Sequence, residues 1–194
     1  MRMTITGAAA LLKRETGFTL TEVTIVVAIV GLLIMVAVPN YLDWNRKYQM
    51  KDATGLLQSN LALARMNAIN RATTVTVTLS QPSTSGPVTV TFLTGAGVAV
   101  LPTLNLNPTL SLSDVNGNAI TSPQDVQFNS MGLKVNTGGA NNICVTSSGA
   151  VTACSKDVSQ AFNLRNTQFT RFNYRVVVAS TGKVSWCYTN NCGQ

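Results

Sequence analysis

Residues 18–38 read FTLTEVTIVVAIVGLLIMVAV, 21 positions carrying one charged side chain, Glu22. At 1.5 Å of rise per residue, about 20 apolar residues in a helix cross a hydrocarbon core of roughly 30 Å, so this run predicts a transmembrane helix. A secretory signal peptide has a shorter apolar region, about 7–15 residues, that ends in small residues at a cleavage site. Here the run ends in Val38-Pro39-Asn40 and leads into helix-compatible sequence. Arg2, Lys13 and Arg14 precede it with only Glu15 against them. That bias places the N-terminal end in the cytoplasm and all that follows Val38 across the membrane, although Arg46, Lys47 and Lys51 oppose it. Glu22 is the anomaly, because a carboxylate inside an apolar helix costs roughly 2.5–3.5 kcal/mol on insertion scales unless water or a cation reaches it.

Beyond the run, Pro39 is compatible with a kinked but continuing helix. Residues 41–72 contain no Pro and a single Gly, Gly55. Ala53, Leu57, Leu61, Ala64 and Ala68 recur at spacings of four and three, with Gln58, Ser59 and Arg65 assigned to the opposite side. Joined to the apolar run, this makes one helix of about 54 residues, its first half bare and its second half lying on a folded domain, a ladle. After Arg71 the chain turns to short Val/Thr-rich runs such as TTVTVTLS, PVTVTFL and YRVVVASTGKVSWCY, separated by Ser-Gly and Thr-Gly turn signals. Alternation of β-branched residues predicts antiparallel strands, hence an α+β fold. Residues 101–122, rich in Pro, Asn and Ser, read as a long loop or irregular strands.

With 11% charged and 45% hydrophobic residues, the chain is not a disordered tail. It contains no His, which removes His-dependent nucleophilic catalysis and every His-ligated metal site. No phosphate-binding Gly-rich loop or paired-carboxylate motif is present, and Asp114, Asp125 and Asp157 stand singly beside turn residues. The expectation is a protein that is not an enzyme and takes no cofactor and no metal. Cys144, Cys154, Cys187 and Cys192 all follow the membrane run, in a compartment where thiols oxidise. A four-cysteine zinc site would place its ligands in close pairs, which fits Cys187 and Cys192 but not Cys144 and Cys154. Disulfides are favoured, and of the three pairings possible the preferred one joins Cys144 to Cys154 across a Ser-Ser-Gly turn and Cys187 to Cys192. The net charge of +7 leaves room for an acidic partner. Residues 162–188 interleave Arg165, Arg171, Arg175 and Lys183 with six aromatic residues. That mixture either tracks and stacks nucleic acid or is a solvated strand face over an aromatic core, and the second reading is the stronger.

The segment Lys13-Arg14-Glu15-Thr16-Gly17-Phe18-Thr19-Leu20-Thr21-Glu22 resembles the type IV prepilin motif shared by type IV pilins and type II secretion pseudopilins. The resemblance implies that residues 1–17 are a leader, cut between Gly17 and Phe18 by a membrane prepilin peptidase, with Phe18 then N-methylated. It also implies that Glu22 neutralises the N-terminal amine of a neighbouring subunit, a pairing that relieves the desolvation of both charges. Residues 64–71 (ARMNAINR), residues 126–132 with a Phe-x-x-x-Gly pattern, and the tail around Gly182-Lys183 are similar to the GspH/FimT branch of pseudopilins and minor pilins. Taken together, the chain divides into a leader (1–17), a transmembrane helix (18–38), an amphipathic helix (39–72) and a β-rich periplasmic or extracellular domain (73–194). The implied role is a minor pilin or pseudopilin of a type IV pilus or type II secretion pseudopilus, single-pass in the bacterial inner membrane before it joins a filament. Its implied partners are other subunits, the prepilin peptidase, the inner-membrane assembly platform and membrane lipid. The alternative is a DNA-binding minor pilin using Arg171, Arg175 and Lys183. Some relatives carry Gly-Arg-x-Arg for that purpose, whereas this chain has Gly182-Lys183-Val184-Ser185, with one cation and no guanidinium fork.

Overall fold

The computed structural model describes residues 17–83, 86–113, 119–135, 144–145, 151–152, 159–167 and 173–188, with the backbone alone described at Pro39, 144–145 and 151–152. The chain divides into two compact units, Met1–Asp43 and Trp44–Gln194. One helix, α1 (Leu20–Asn70, 51 residues), runs through both. It continues past Pro39, and the Asn40 side-chain amide donates to the Val36 carbonyl (3.3 Å), beside the Met35 carbonyl that proline cannot serve.

In the first unit, every large apolar side chain from Leu20 to Val38 is at least 46% exposed. In the second unit one stripe of the helix is different. There Met50, Ala53, Leu57, Leu61, Ala64 and Ala68 are buried in the core, the expected stripe extended by one turn. Three of the six are Ala, which lets the helix backbone approach the sheets closely, while Leu57 and Leu61 each supply about 1.5–3 kcal/mol of burial. Thr54 is buried on the same face and satisfies its hydroxyl by donating to the Met50 carbonyl (2.7 Å), the local solution open to a short β-hydroxyl in a helix.

Eleven strands follow among the described residues: β1 (Val75–Ser80), β2 (Thr89–Thr94), β3 (Ala99–Asn105), β4 (Leu110–Ser113), β5 (Gln124–Phe128), β6 (Lys134–Val135), β7 (Cys144–Val145), β8 (Val151–Thr152), β9 (Ser159–Asn166), β10 (Asn173–Val178) and β11 (Val184–Tyr188). They form two antiparallel sheets, one ordered β3-β2-β1-β5-β6 and the other β11-β10-β9-β7-β8, with β4 also pairing β9. Alternation does its work in β1, where Val75, Val77 and Leu79 face the core, and in β10, where Tyr174, Val176 and Val178 do. Buried amides tie the sheets together. The Gln81 side-chain oxygen accepts from the Leu112 backbone amide (2.8 Å), and the Gln160 side-chain amide donates to the Asp125 backbone carbonyl (2.7 Å).

Residues 101–122 are more regular than their composition suggests, since β3 and β4 both fall within or overlap them. Pro102 is accommodated because β3 is the edge of its sheet, where a missing N–H leaves no ladder bond broken. The β3–β4 connection is a turn in which the Asn107 side chain accepts from the Thr109 amide (3.0 Å). At the other end of the helix, the Thr73 amide donates to Ala68 O (3.1 Å) and the Ala72 amide to Ile69 O (3.1 Å), the bond pair of a Schellman cap. Glycine normally fills the left-handed position of that cap; here Ala72 takes it, at φ 48°. Relief of that left-handed strain, about 1 kcal/mol, is expected from Ala72→Gly. Urea denaturation of a fragment beginning at Asn45 should show the variant more stable by about that amount, and equal or lower stability would mean that the cap is unstrained.

Candidate assembly site and the Arg65 junction

At the N-terminal end, Gly17, Phe18 and Thr19 precede the helix, and Phe18 is 84% exposed. The Gly17–Phe18 bond therefore lies in non-helical backbone. A side chain at Gly17 would meet no atom within 4 Å. Thr19 is the N-cap: its hydroxyl oxygen accepts from the Glu22 amide (3.3 Å), and its carbonyl accepts from the amides of Glu22 (3.1 Å) and Val23 (3.2 Å). Thr19-Leu20-Thr21-Glu22 has the Thr-x-x-Glu spacing of a capping box, a signal the sequence offered and the pilin-like motif overshadowed. Glu22, exposed in the first turn, also complements the positive end of the helix dipole. Phe18, Glu22, Val23, Val26 and Val27 line one shallow groove of about 280 Å³. The aromatic side chain at the expected new N-terminus and the expected assembly carboxylate thus share a face.

A second constellation joins three separate stretches. Helical periodicity puts Arg65 on the side opposite the apolar stripe of α1, yet it borders the buried stripe and reaches the β domain. Its Nε donates to the Gly132 carbonyl (2.8 Å) and its Nη2 to the Thr181 carbonyl (3.0 Å). Gln58, also assigned outward, donates to the Val184 carbonyl (3.3 Å). A long donor on the border of an apolar stripe can lay its stem on the sheet while its head caps a carbonyl, and periodicity alone does not distinguish that from solvation.

The two carbonyls that Arg65 meets belong to hairpin turns of one design. In the β5–β6 turn the Gly132 amide donates to Asn129 O (2.8 Å) and the Asn129 amide to Leu133 O (3.0 Å); in the β10–β11 turn the Gly182 amide donates to Ala179 O (2.9 Å) and the Ala179 amide to Lys183 O (2.9 Å). Gly132 and Gly182 have φ of 74° and 76°, the left-handed position such a three-residue hairpin loop requires. Space excludes side chains as well. A Cβ on Gly182 would overlap the Gly132 carbonyl, and one on Gly132 would press on Ile69 and on Arg65. The Lys134 amide donates to Ser180 O (3.1 Å), closing the junction between the two sheets.

The basic residues of the C-terminal hairpin do not gather. Arg175, half-buried on β10, donates from Nε to the Asn163 side-chain oxygen (2.8 Å), and burial pulls its guanidinium below the usual arginine range. Lys183 is exposed in the β10–β11 turn. Arg175 pairs with Cys187, whereas Val178 pairs with Val184 nearest the turn, so three residues of strand, about 10 Å, part Arg175 from the turn that carries Lys183. Arg171 lies outside the described residues. Of the aromatics, Phe162 and Tyr174 are core while Trp186 and Tyr188 are partly buried against it. Cys187 is disulfide-bonded. Cys144 opens the β7–β8 hairpin opposite Thr152; its side chain, Cys154 and Cys192 lie outside the described residues. Among the described residues no His, Cys, Asp and Glu cluster could hold a metal.

An N-terminal helix whose first half is bare and apolar and whose second half packs on antiparallel sheets places the chain among the type IV pilins and type II secretion pseudopilins. Within them, residues 53–182 match the family described as type II transport protein GspH, and the chain belongs to that family. No curated protein matches the chain. Two crystal structures of the Pseudomonas aeruginosa type IV minor pilin FimU are similar to it at 11% identity, with TM-scores of 0.49 and 0.46; they cover 78% and 74% of this chain and 97% of the FimU chain in each case.

The junction makes a graded prediction. Arg65→Ala removes two bonds from a charged donor and should cost about 1–3 kcal/mol. Gly182→Ala combines left-handed strain with a backbone overlap and should cost roughly 2–5 kcal/mol. Denaturation midpoints of the Asn45 fragment would check the order, and a neutral Gly182→Ala would show that the turns do not touch.

Proposed function

We propose that the chain is a structural subunit, a minor pilin or pseudopilin, of a type II secretion pseudopilus or type IV pilus. The observation that carries this reading is the bare apolar half of α1, a surface too large and continuous to face water. It is long and apolar enough to cross a membrane, with a mean hydropathy of 2.6 over its best window. In this reading the helix is held first by the bilayer of the inner membrane, with residues 1–17 in the cytoplasm, and then by neighbouring helices in the filament. Cleavage after Gly17 and methylation at Phe18 prepare it. Glu22, on the same face as Phe18, meets the amine of an adjoining subunit, and its role in the Thr19 cap keeps the first helical turn wound so that the carboxylate is presented at a fixed height. The work is assembly rather than catalysis. Pairing of Cys187 with Cys192 and of Cys144 with Cys154 belongs to the same reading, as oxidative stapling of an exported domain. The nucleic-acid alternative is weaker, because Arg175 is committed to Asn163 and sits apart from Lys183.

Intact mass of the membrane-extracted protein should correspond to a chain beginning at N-methylated Phe18, and Gly17→Val should leave the precursor uncut. Glu22→Ala should still be processed and still insert, since losing a charge favours insertion, but its recovery in sheared filaments should fall about tenfold, the equivalent of about 1.4 kcal/mol of docking energy. Wild-type recovery of Glu22→Ala would show that the carboxylate has no role in assembly. For the alternative, three cations limit the salt slope to about 2–3, so a gel shift with the Asn45 fragment near physiological salt should show no complex. Submicromolar binding lost in Arg171→Ala with Lys183→Ala would reverse the ranking.

A further inference from the structure

The β11 edge of the second sheet carries a pocket unrelated to the prepilin-like motif. Lys47 and Lys51, one turn apart on α1, and Tyr174, Trp186 and Tyr188 line a half-open space of about 430 Å³, within the ~300–1,000 Å³ typical of small-molecule sites. The ring centroid of Tyr174 lies 5.7 Å from Trp186 and 5.5 Å from Tyr188, so the aromatic wall is a packed cluster held by the core. Both lysines are exposed, and among the described residues no ion pair engages either. Two exposed ammonium groups above an aromatic floor suit an anion that also carries an uncharged body.

The covalent tether narrows the source of that anion. Lys47 lies nine positions after Val38, a path that even fully extended spans about 30 Å. Tyr41, Trp44 and Tyr48, all more than half exposed, stand on the intervening or adjoining helix; aromatic residues of this kind favour the bilayer interface. We infer that the pocket of Lys47, Lys51, Tyr174, Trp186 and Tyr188 holds the phosphodiester headgroup of an anionic phospholipid from the leaflet on the domain's side of the membrane. The lysines meet the phosphate, and the glycerol and ester region lies on the tryptophan and tyrosine rings. The site would hold the domain at the membrane surface before assembly and release it on extraction into a filament. This inference rests on the reading of residues 18–38 as a membrane span, which flotation of the variants with vesicles checks separately.

Full-length chain reconstituted in nanodiscs of equal parts phosphatidylglycerol and phosphatidylcholine, then examined by native mass spectrometry, reports which lipid stays bound. Each lysine near an anionic surface strengthens association about fivefold, so wild type should retain phosphatidylglycerol over phosphatidylcholine by roughly tenfold or more. Lys47→Gln with Lys51→Gln should abolish that preference. Arg71→Gln with Lys183→Gln, an equal loss of charge at exposed positions elsewhere, should keep it, with circular dichroism confirming that both variants are folded. Excess glycerol 1-phosphate should not displace the lipid. Equal loss in both double variants, no preference in wild type, or displacement by glycerol 1-phosphate would each overturn the assignment, the last in favour of a free anionic ligand.

Discussion

Everything in this chain is organised around a single helix that must satisfy two different surroundings. From Leu20 to Val38 its large apolar side chains are exposed, whereas from Met50 to Ala68 one stripe is sealed into the core. The hydrophobic effect treats the two halves alike: apolar area left in water is costly in proportion to its extent. The chain's own β domain covers a stripe of the second half, and in the function proposed above the first half is covered from outside, by lipid or by other subunits. Proline at position 39 interrupts the hydrogen-bond ladder without ending the helix, which remains one continuous element.

How the β domain grips its helix explains where the recognisable sequence lies. The segment around Arg65, the Phe128–Gly132 turn and the Gly182 turn are the three stretches that resemble the GspH/FimT branch, and they meet at one point through the Arg65 guanidinium. A planar, always-charged fork can bind two carbonyls from different turns at once, which a lysine ammonium does less well. The glycines are needed twice over, for a left-handed backbone and for the absence of a side chain where two turns come into contact. The junction is therefore a mechanical coupling between the helix and both sheets.

Much of this was legible in the sequence for a definite reason. The Ala53–Ala68 stripe is a periodic signal of burial and lies in the core, the continuous apolar run falls within one helix, and the alternating Val/Thr-rich runs form antiparallel strands at Val75–Ser80 and Asn173–Val178. Residues outside the reach of periodicity were misjudged. Arg65 and Gln58 look solvent-facing on a helical wheel but act through long side chains at the edge of the stripe. Pro102 argues against a strand until β3 is known to be an edge. Ala72 in a left-handed cap and Thr19 as an N-cap are local geometries; the Thr-x-x-Glu spacing would have revealed the second, while no residue type signals the first.

The most direct test of the account asks what covers the first half of α1. Single cysteines placed at Ile29, in the bare run, and at Ser59, on the exposed side of the second half, can be challenged with a membrane-impermeant maleimide over the wild-type background, in membranes and in isolated filaments. The account predicts that Ser59→Cys is labelled in membranes, while Ile29→Cys is protected in both, by lipid in one and by neighbouring helices in the other. Labelling of Ile29→Cys from water in either state would contradict it, because the apolar half would then need no cover and the chain would have no reason to assemble through it.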